Sequence, residues 1–224
     1  MESIALRWLS GRASQGGVSW GMPWPKGKVR PDTAFYLENE KGERFDVQTR
    51  SRAYWPDGSI KWTLHSAVAW GESFFLKEGL APGLAPAIKE NNKIRFDGTE
   101  MDFSEGSGVP GLRGRGHLLG GRLVARISGE EYVGRQESVE LEDAGPVRAV
   151  VKVMGAHFGP RGERALPFTL RYYLYRGEDE IRVVHTWLHD LDPFTQRIEA
   201  LGMEFRAKQE GPIYNRHVRI AGDL

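Results

Sequence analysis

Short runs of alternating hydrophobic and polar residues recur along the chain and predict an all-β protein with almost no helix. The 28 glycines and 12 prolines leave few windows in which a dozen residues could form a helix. The predicted strands are 4–9, 33–37, 45–49, 60–68, 74–76, 93–96, 100–103, 149–154, 168–175, 181–188 and 198–206. Alternation in 60–68 predicts one face with Ile60, Trp62 and Leu64 and another with Lys61, Thr63 and His65.

A segment of proline, glycine and small residues at 78–87 interrupts the strand pattern. It predicts a boundary between one β domain at 1–80 and another at 88–224. The last four strands are joined by short, turn-rich connections, which is typical of an antiparallel meander. One face of such a sheet must be covered, so a β-sandwich is expected in the second domain.

Composition excludes several classes of protein. Lys and Arg number 31 against 30 Asp and Glu, and a net charge of +1 argues against a nucleic-acid-binding protein. The absence of cysteine excludes disulfides, thiolate metal sites and cysteine nucleophiles. Among the histidines only His185 and His189 have a metal-ligand spacing, and such a pair shares one face only on a helix, whereas a strand is predicted there. Neither a metal nor another cofactor is therefore expected. The chain shows neither a secretory signal nor an apolar segment of membrane-spanning length, and we expect a cytoplasmic protein with no membrane partner.

Four of the seven tryptophans lie in two short segments, 20–27 and 53–62. A tryptophan ring can stack on a sugar face, and it can equally fill the interior of a small β-barrel. The composition alone favours the core role. The candidates for substrate binding in these segments are Trp24, Trp55 and the nearby Lys61.

A predicted hairpin between 171–175 and 182–187 supplies the next candidates. Arg171, Tyr173 and His185 would serve β-elimination from a uronic acid, which needs a cation at the carboxylate, a base and an acid. Arg171 is the substrate-binding candidate, and Tyr173 and His185 are catalytic candidates. A polar sheet face with no catalytic role is the alternative.

A third cluster lies near the carboxyl end, where Asn215, Arg216 and His217 combine an amide, a fixed cation and a group that titrates near neutrality. These three residues are further catalytic candidates. In an extended strand, however, Arg216 would point away from the other two. A solvated strand therefore explains the cluster as well as a site does.

Five blocks together resemble one family: WGMPWPKG at 20–27, AYWPDGSIKW at 53–62, GPVRAV at 145–150, IRVVHTW at 181–187 and YNRHVR at 214–219. The chain resembles the exo-rhamnogalacturonan lyases of polysaccharide lyase family 26, the YetA-like proteins. The resemblance implies a RIFT-type β-barrel over 1–80, a central β-sandwich beginning near residue 90, and pectic oligosaccharides as substrates.

Members of that family are several times longer and continue into an α/α toroid. The resemblance therefore implies that this chain is the front part of such an enzyme, truncated or split and inactive alone, with the toroid supplied by a missing domain or by a separate chain. A non-catalytic carbohydrate-binding or structural β module is the alternative, and an accessory domain of a hydrolase is a weaker one.

Overall fold

The computed structural model describes residues 3–9, 14–114, 118–207, 209 and 211–216, and their regular structure is almost entirely β-strand. The strands are β1 Ile4–Arg7, β2 Ser14–Pro23, β3 Ala34–Asn39, β4 Arg44–Tyr54, β5 Ile60–Gly71, β6 Ser73–Gly79, β7 Ile88–Glu90, β8 Lys93–Phe96, β9 Thr99–Asp102, β10 Gly111–Arg113, β11 Gly121–Ile127, β12 Glu130–Ala144, β13 Arg148–Phe158, β14 Arg164–Tyr175, β15 Ile181–Trp187 and β16 Ile198–Phe205. A single 3-10 turn, Ile213–Asn215, is the only helical element in this part of the chain. The all-β prediction is confirmed.

The first sheet is antiparallel, with strand order β1-β6-β3-β4-β5-β2. It curls around a core to which every one of its strands contributes. The buried members with the largest side chains include Trp24, Phe35, Phe45, Ile60 and Leu76. Strand β2 was not predicted, because Gly16 and Gly17 interrupt its alternation and Pro23 ends it.

The predicted faces of strand β5 are partly wrong. Ile60, Thr63 and His65 are fully buried, whereas Trp62 is 42% exposed. The register shifts where Ala53 pairs with Trp62 and Tyr54 pairs with Ile60, which leaves Lys61 as an extra residue. A bulge of this kind reverses the alternation on its two sides. Ile60 therefore faces the core together with residues predicted on the opposite face.

Two more antiparallel sheets pack face to face. The smaller has the order β10-β9-β8-β7, and the larger has the order β15-β14-β13-β12-β11-β16. Their shared core includes Ile94 and Met101 from the small sheet and Val153 and Leu170 from the large one. The predicted turn between β8 and β9 is present, with Asp97 at φ 47° and Gly98 at φ 79°, as a two-residue hairpin of type I′ requires.

The predicted four-strand meander over 149–206 is partly wrong. Strands β13, β14 and β15 are sequential neighbours, but β16 crosses to the opposite edge and pairs with β11. Turn residues specify that a strand ends and leave open which edge the next strand joins. Strands β11 and β12 were not predicted, and β12 carries charged residues along much of its length.

Residues 80–87 contain no strand and connect the first sheet to β7. The placement of a domain boundary at 78–88 stays a prediction. Within the described ranges, no helix has the length and apolar character needed to cross a bilayer.

Candidate functional site

A cleft of about 1030 Å³ opens between strand β2 of the first sheet and the outer face of strands β13–β15. The period of two along β14 places Tyr173 and Tyr175 on this face, while Tyr172 and Leu174 point into the core. Strand pairing sets Arg148 opposite Tyr175 and Arg182 opposite Tyr173. The polar side chains that line the cleft are Ser19, Arg148, Tyr173, Tyr175, Glu178, Glu180 and Arg182.

An ionic network around the buried carboxylate of Asp143 adjoins the cleft, and Arg148 belongs to both. The carboxylate of Asp143 accepts hydrogen bonds from Arg148 at 2.8 Å and from the amide of Gln48 at 3.0 Å. Arg50 lies 3.0 Å from the same carboxylate. Gln48 also accepts hydrogen bonds from the backbone N–H groups of Val147 and Arg148. Since Gln48 and Arg50 belong to the first sheet, this network joins it to the third.

A chain of hydroxyl groups continues the network along the cleft wall. Arg148 donates a hydrogen bond to Ser19 Oγ at 2.7 Å, and Ser19 Oγ also lies 2.9 Å from the Tyr175 hydroxyl and 2.8 Å from Ser66 Oγ. Gly17 permits this contact, because a Cβ atom there would lie 2.1 Å from the Tyr175 ring. Arg148 thus has side-chain hydrogen-bond partners in both the first sheet and the large sheet.

Arg171 lies farther along the same face, and its guanidinium is paired with a carboxylate of the protein. Its guanidinium donates two hydrogen bonds to Glu142, at 2.8 and 3.1 Å. The hydrogen bond from Arg171 holds the pKa of Glu142 below its ordinary value. Arg171 is therefore held in a bidentate pair, and a ligand would have to compete with Glu142 for it.

The structure brings together two of the three candidates from the predicted hairpin. Arg171 and Tyr173 share the outer face, whereas His185 pairs with Leu170 on the opposite face of the sheet. There His185 lies 6.2 Å from the ring of Phe168. Burial, together with the nearby His157, lowers the pKa of His185. His185 cannot act in the same cleft as Tyr173, because β-strand alternation points the two side chains in opposite directions.

The structure gives the candidates in the tryptophan segments packing roles. Trp24 is 4% exposed, stacks on Phe35 and donates its indole hydrogen bond to Thr63 at 2.8 Å. Trp55 is half-buried, and the ammonium group of Lys61 lies 4.7 Å from the centre of its ring. Trp24 has no ring face left for a sugar, so the core role that the composition favoured explains it.

The carboxyl-terminal cluster lies mostly outside the described residues, which include neither His217 nor the side chain of Asn215. Arg216 is exposed and donates a hydrogen bond to the Gly211 carbonyl at 2.9 Å. Whether the three residues form a site stays a prediction.

Sequence reasoning missed Ser19 and Arg182, which line the cleft, and Gln48 and Asp143, which belong to the adjoining network. Arg148, the partner of Ser19, and Asp143, the partner of Gln48, are each more than 90 residues away in sequence, and no local pattern reports such pairing. Arg182 could have been found, because a hairpin through 176–179 places it beside Tyr173. Within the described ranges no three His, Asp or Glu side chains form a group that could hold a metal ion.

Comparison with known proteins agrees with this arrangement of sheets. Residues 2–75 match the PcRGLX-like N-terminal RIFT barrel domain, and residues 120–224 match the PcRGLX-like protein central beta sandwich domain. The chain belongs to the PcRGLX-like family. In family terms, the first sheet is the RIFT barrel and the larger of the other two sheets lies in the central β-sandwich. The cleft of this PcRGLX-like protein therefore lies between the two domains.

A relative in Bacillus subtilis (strain 168), called uncharacterized protein YetA, is 36% identical to this PcRGLX-like chain over 247 aligned positions. The alignment includes 97% of this chain and 28% of the relative. The chain thus spans less than a third of the relative's length.

Proposed function

We propose that this chain forms the barrel-and-sandwich part of an exo-acting polysaccharide lyase that cleaves rhamnogalacturonan-type pectic oligosaccharides by β-elimination. Membership of the PcRGLX-like family supports the substrate class. The observation that carries the proposal is the interdomain cleft, whose floor presents Tyr173 and Arg182 as a cross-strand pair.

β-Elimination explains why such side chains would face a ligand. A base removes the C5 proton of the uronic acid, the C5–H electron pair forms the C4–C5 double bond, and the C4–O bond breaks. An acid then protonates the leaving oxygen. A cation beside the carboxylate stabilises the negative charge that develops when the proton leaves. Tyrosine and arginine supply a phenolic proton and a permanent positive charge.

An α/α toroid, in the same polypeptide or in a separate chain, is proposed to complete the active site. Such a domain would cover an oligosaccharide bound in the cleft. A cytoplasmic location, and with it the use of imported oligosaccharides as substrates, belongs to the same proposal.

The test is an absorbance assay on rhamnogalacturonan oligosaccharides, with the chain studied both alone and within a polypeptide that carries the toroid. We expect ultraviolet absorbance from the unsaturated uronyl product to rise only when the toroid is present. No rise with any pectic oligosaccharide in either form would contradict the lyase proposal.

A second candidate is a carbohydrate-binding module with no catalytic role. It is favoured by the state of Arg148 and Arg171, which are already bound by carboxylates, and by Trp62 and Trp187, which are 42% and 40% exposed. Quenching of tryptophan fluorescence by the oligosaccharide, with no product from the complete polypeptide, would support this second candidate over the first.

A further inference from the structure

Three arginines on the outer face of strands β13, β14 and β15, namely Arg148, Arg171 and Arg182, differ in what surrounds them. Arg148 is 8% exposed and binds Asp143, and Arg171 is held in the bidentate pair with Glu142. Arg182 is exposed and lines the cleft, and within the described part of the chain it has neither an ion pair nor a side-chain hydrogen bond. Of these three arginines, Arg182 is therefore the one whose planar fork of N–H donors a ligand could bind without displacing a protein carboxylate.

The groups around Arg182 restrict the chemistry of that ligand. Tyr173 lies directly opposite on β14, and Val184 follows Arg182 on the same face of β15. Glu178 and Glu180 also line the cleft, and neither is ion-paired with Arg182. One free cation beside two carboxylates disfavours a dianion such as a phosphate monoester. It suits a ligand with one negative charge and several hydroxyl groups, because carboxylates accept hydrogen bonds from hydroxyls.

We propose that Arg182 is the specificity-determining residue of the cleft and binds the carboxylate of a uronic acid residue, with Tyr173 contacting the same sugar. This inference rests on the proposed function, since it names the group that would select an acidic pectic sugar. A carboxylate matches a guanidinium with two parallel hydrogen bonds, which neutral sugars cannot form. Glu178 and Glu180 would accept hydrogen bonds from hydroxyls of the bound oligosaccharide.

The experiment compares two ligands and four proteins by calorimetric titration of the 224-residue chain. The ligands are a rhamnogalacturonan oligosaccharide and the same oligosaccharide with its uronic carboxyls reduced to alcohols. The proteins are the wild type, Arg182→Gln, Arg182→Lys and Arg126→Gln. Arg126 is a matched control, because it is an exposed arginine on β11 of the same sheet and lies outside the cleft.

We expect the wild type and Arg126→Gln to bind the acidic oligosaccharide about tenfold more tightly than the reduced one, which corresponds to about 1.4 kcal/mol. Arg182→Gln should lose that preference and bind both ligands with the affinity that the wild type has for the reduced one. Arg182→Lys should recover part of it, since a lysine keeps the charge and loses the fork.

Two results would overturn the inference: equal discrimination by the wild type and Arg182→Gln, or binding of neither ligand by the wild type. The lyase proposal is decided separately by the absorbance of the unsaturated product. A chain that selects the acidic ligand through Arg182 but yields no product in the complete polypeptide would keep the inference and refute the lyase.

Discussion

Removing the Asp143 carboxylate should destabilise the protein more than any exposed ion pair of the same strand. Asp143 is 3% exposed and is bound by Arg148, Arg50 and Gln48 at 2.8 to 3.0 Å. Arg148 is itself buried and would keep its positive charge in Asp143→Ala. Breaking one partner of a buried pair costs about 3–5 kcal/mol, because the remaining charge is left without compensation.

The exposed control is Glu137 of strand β12, whose ion pair with Arg164 has a distance of 3.0 Å and half-exposed side chains. Glu137→Ala should cost about 0.2–1 kcal/mol. The double variant Asp143→Ala with Arg148→Met should cost less than the sum of its single changes, because the second removes the charge that the first leaves unpaired. A coupling of about 0.5–3 kcal/mol is expected for groups in one network.

Urea unfolding monitored by two probes measures these effects. Six of the seven tryptophans lie within residues 1–70, so fluorescence reports mainly on the barrel, while far-ultraviolet circular dichroism reports on all strands. In Asp143→Ala the fluorescence and dichroism transitions should separate further than in the wild type, because the network links the two domains. The reasoning is refuted if Asp143→Ala costs no more than Glu137→Ala, or if the double variant costs the full sum.

Two further predictions concern burial in and beside the barrel. His65 is fully buried, and desolvation lowers its pKa to about 4 from an ordinary 6.5. Because the unfolded chain takes up the proton first, the free energy of unfolding should fall by up to about 1.4 kcal/mol per pH unit as the pH drops from 6.5 towards 4. His65→Gln should reduce this slope in urea titrations at several pH values, and an unchanged slope would contradict the assignment to His65. Gly17→Ala should cost about 1–3 kcal/mol in the same unfolding measurement, since its Cβ would overlap the Tyr175 ring, while Gly83→Ala, with open space around it, should change little. Equal effects of the two glycine changes would contradict that packing argument.

The sequence predicts the strands whose residues alternate and whose ends carry turn residues. The pair β8 and β9 with its Asp97-Gly98 turn is an example, because its register depends only on neighbours in the chain. The return of β16 to β11 and the bulge at Lys61 depend on contacts between distant segments, and a single sequence shows neither.

In the candidate site, too, features set by neighbours in the chain were predicted, whereas features set by contacts between distant segments were not. Arg171 and Tyr173 were predicted on one face because they are two residues apart on one strand, and side chains alternate between the faces of a strand. His185 was assigned to the wrong face, since the register that pairs it with Leu170 was unknown. For Trp24 the composition favoured a core role without excluding a sugar site, and its burial is decided by the strands that surround it.

The Asp143 network and Arg182 have different roles at the cleft. The network holds the two domains in position, and we propose that the guanidinium of Arg182, unpaired within the described residues, recognises the ligand. Asp143, Gln48 and Arg148 bind one another across the domain interface, and through Ser19 on β2, which contacts Arg148 and Tyr175, they help to position β2 relative to β14. Arg182 takes no part in those contacts. Loss of Asp143 should therefore lower stability and weaken binding of acidic and neutral oligosaccharides alike, whereas loss of Arg182 should leave stability unchanged and remove only the preference for the acidic ligand.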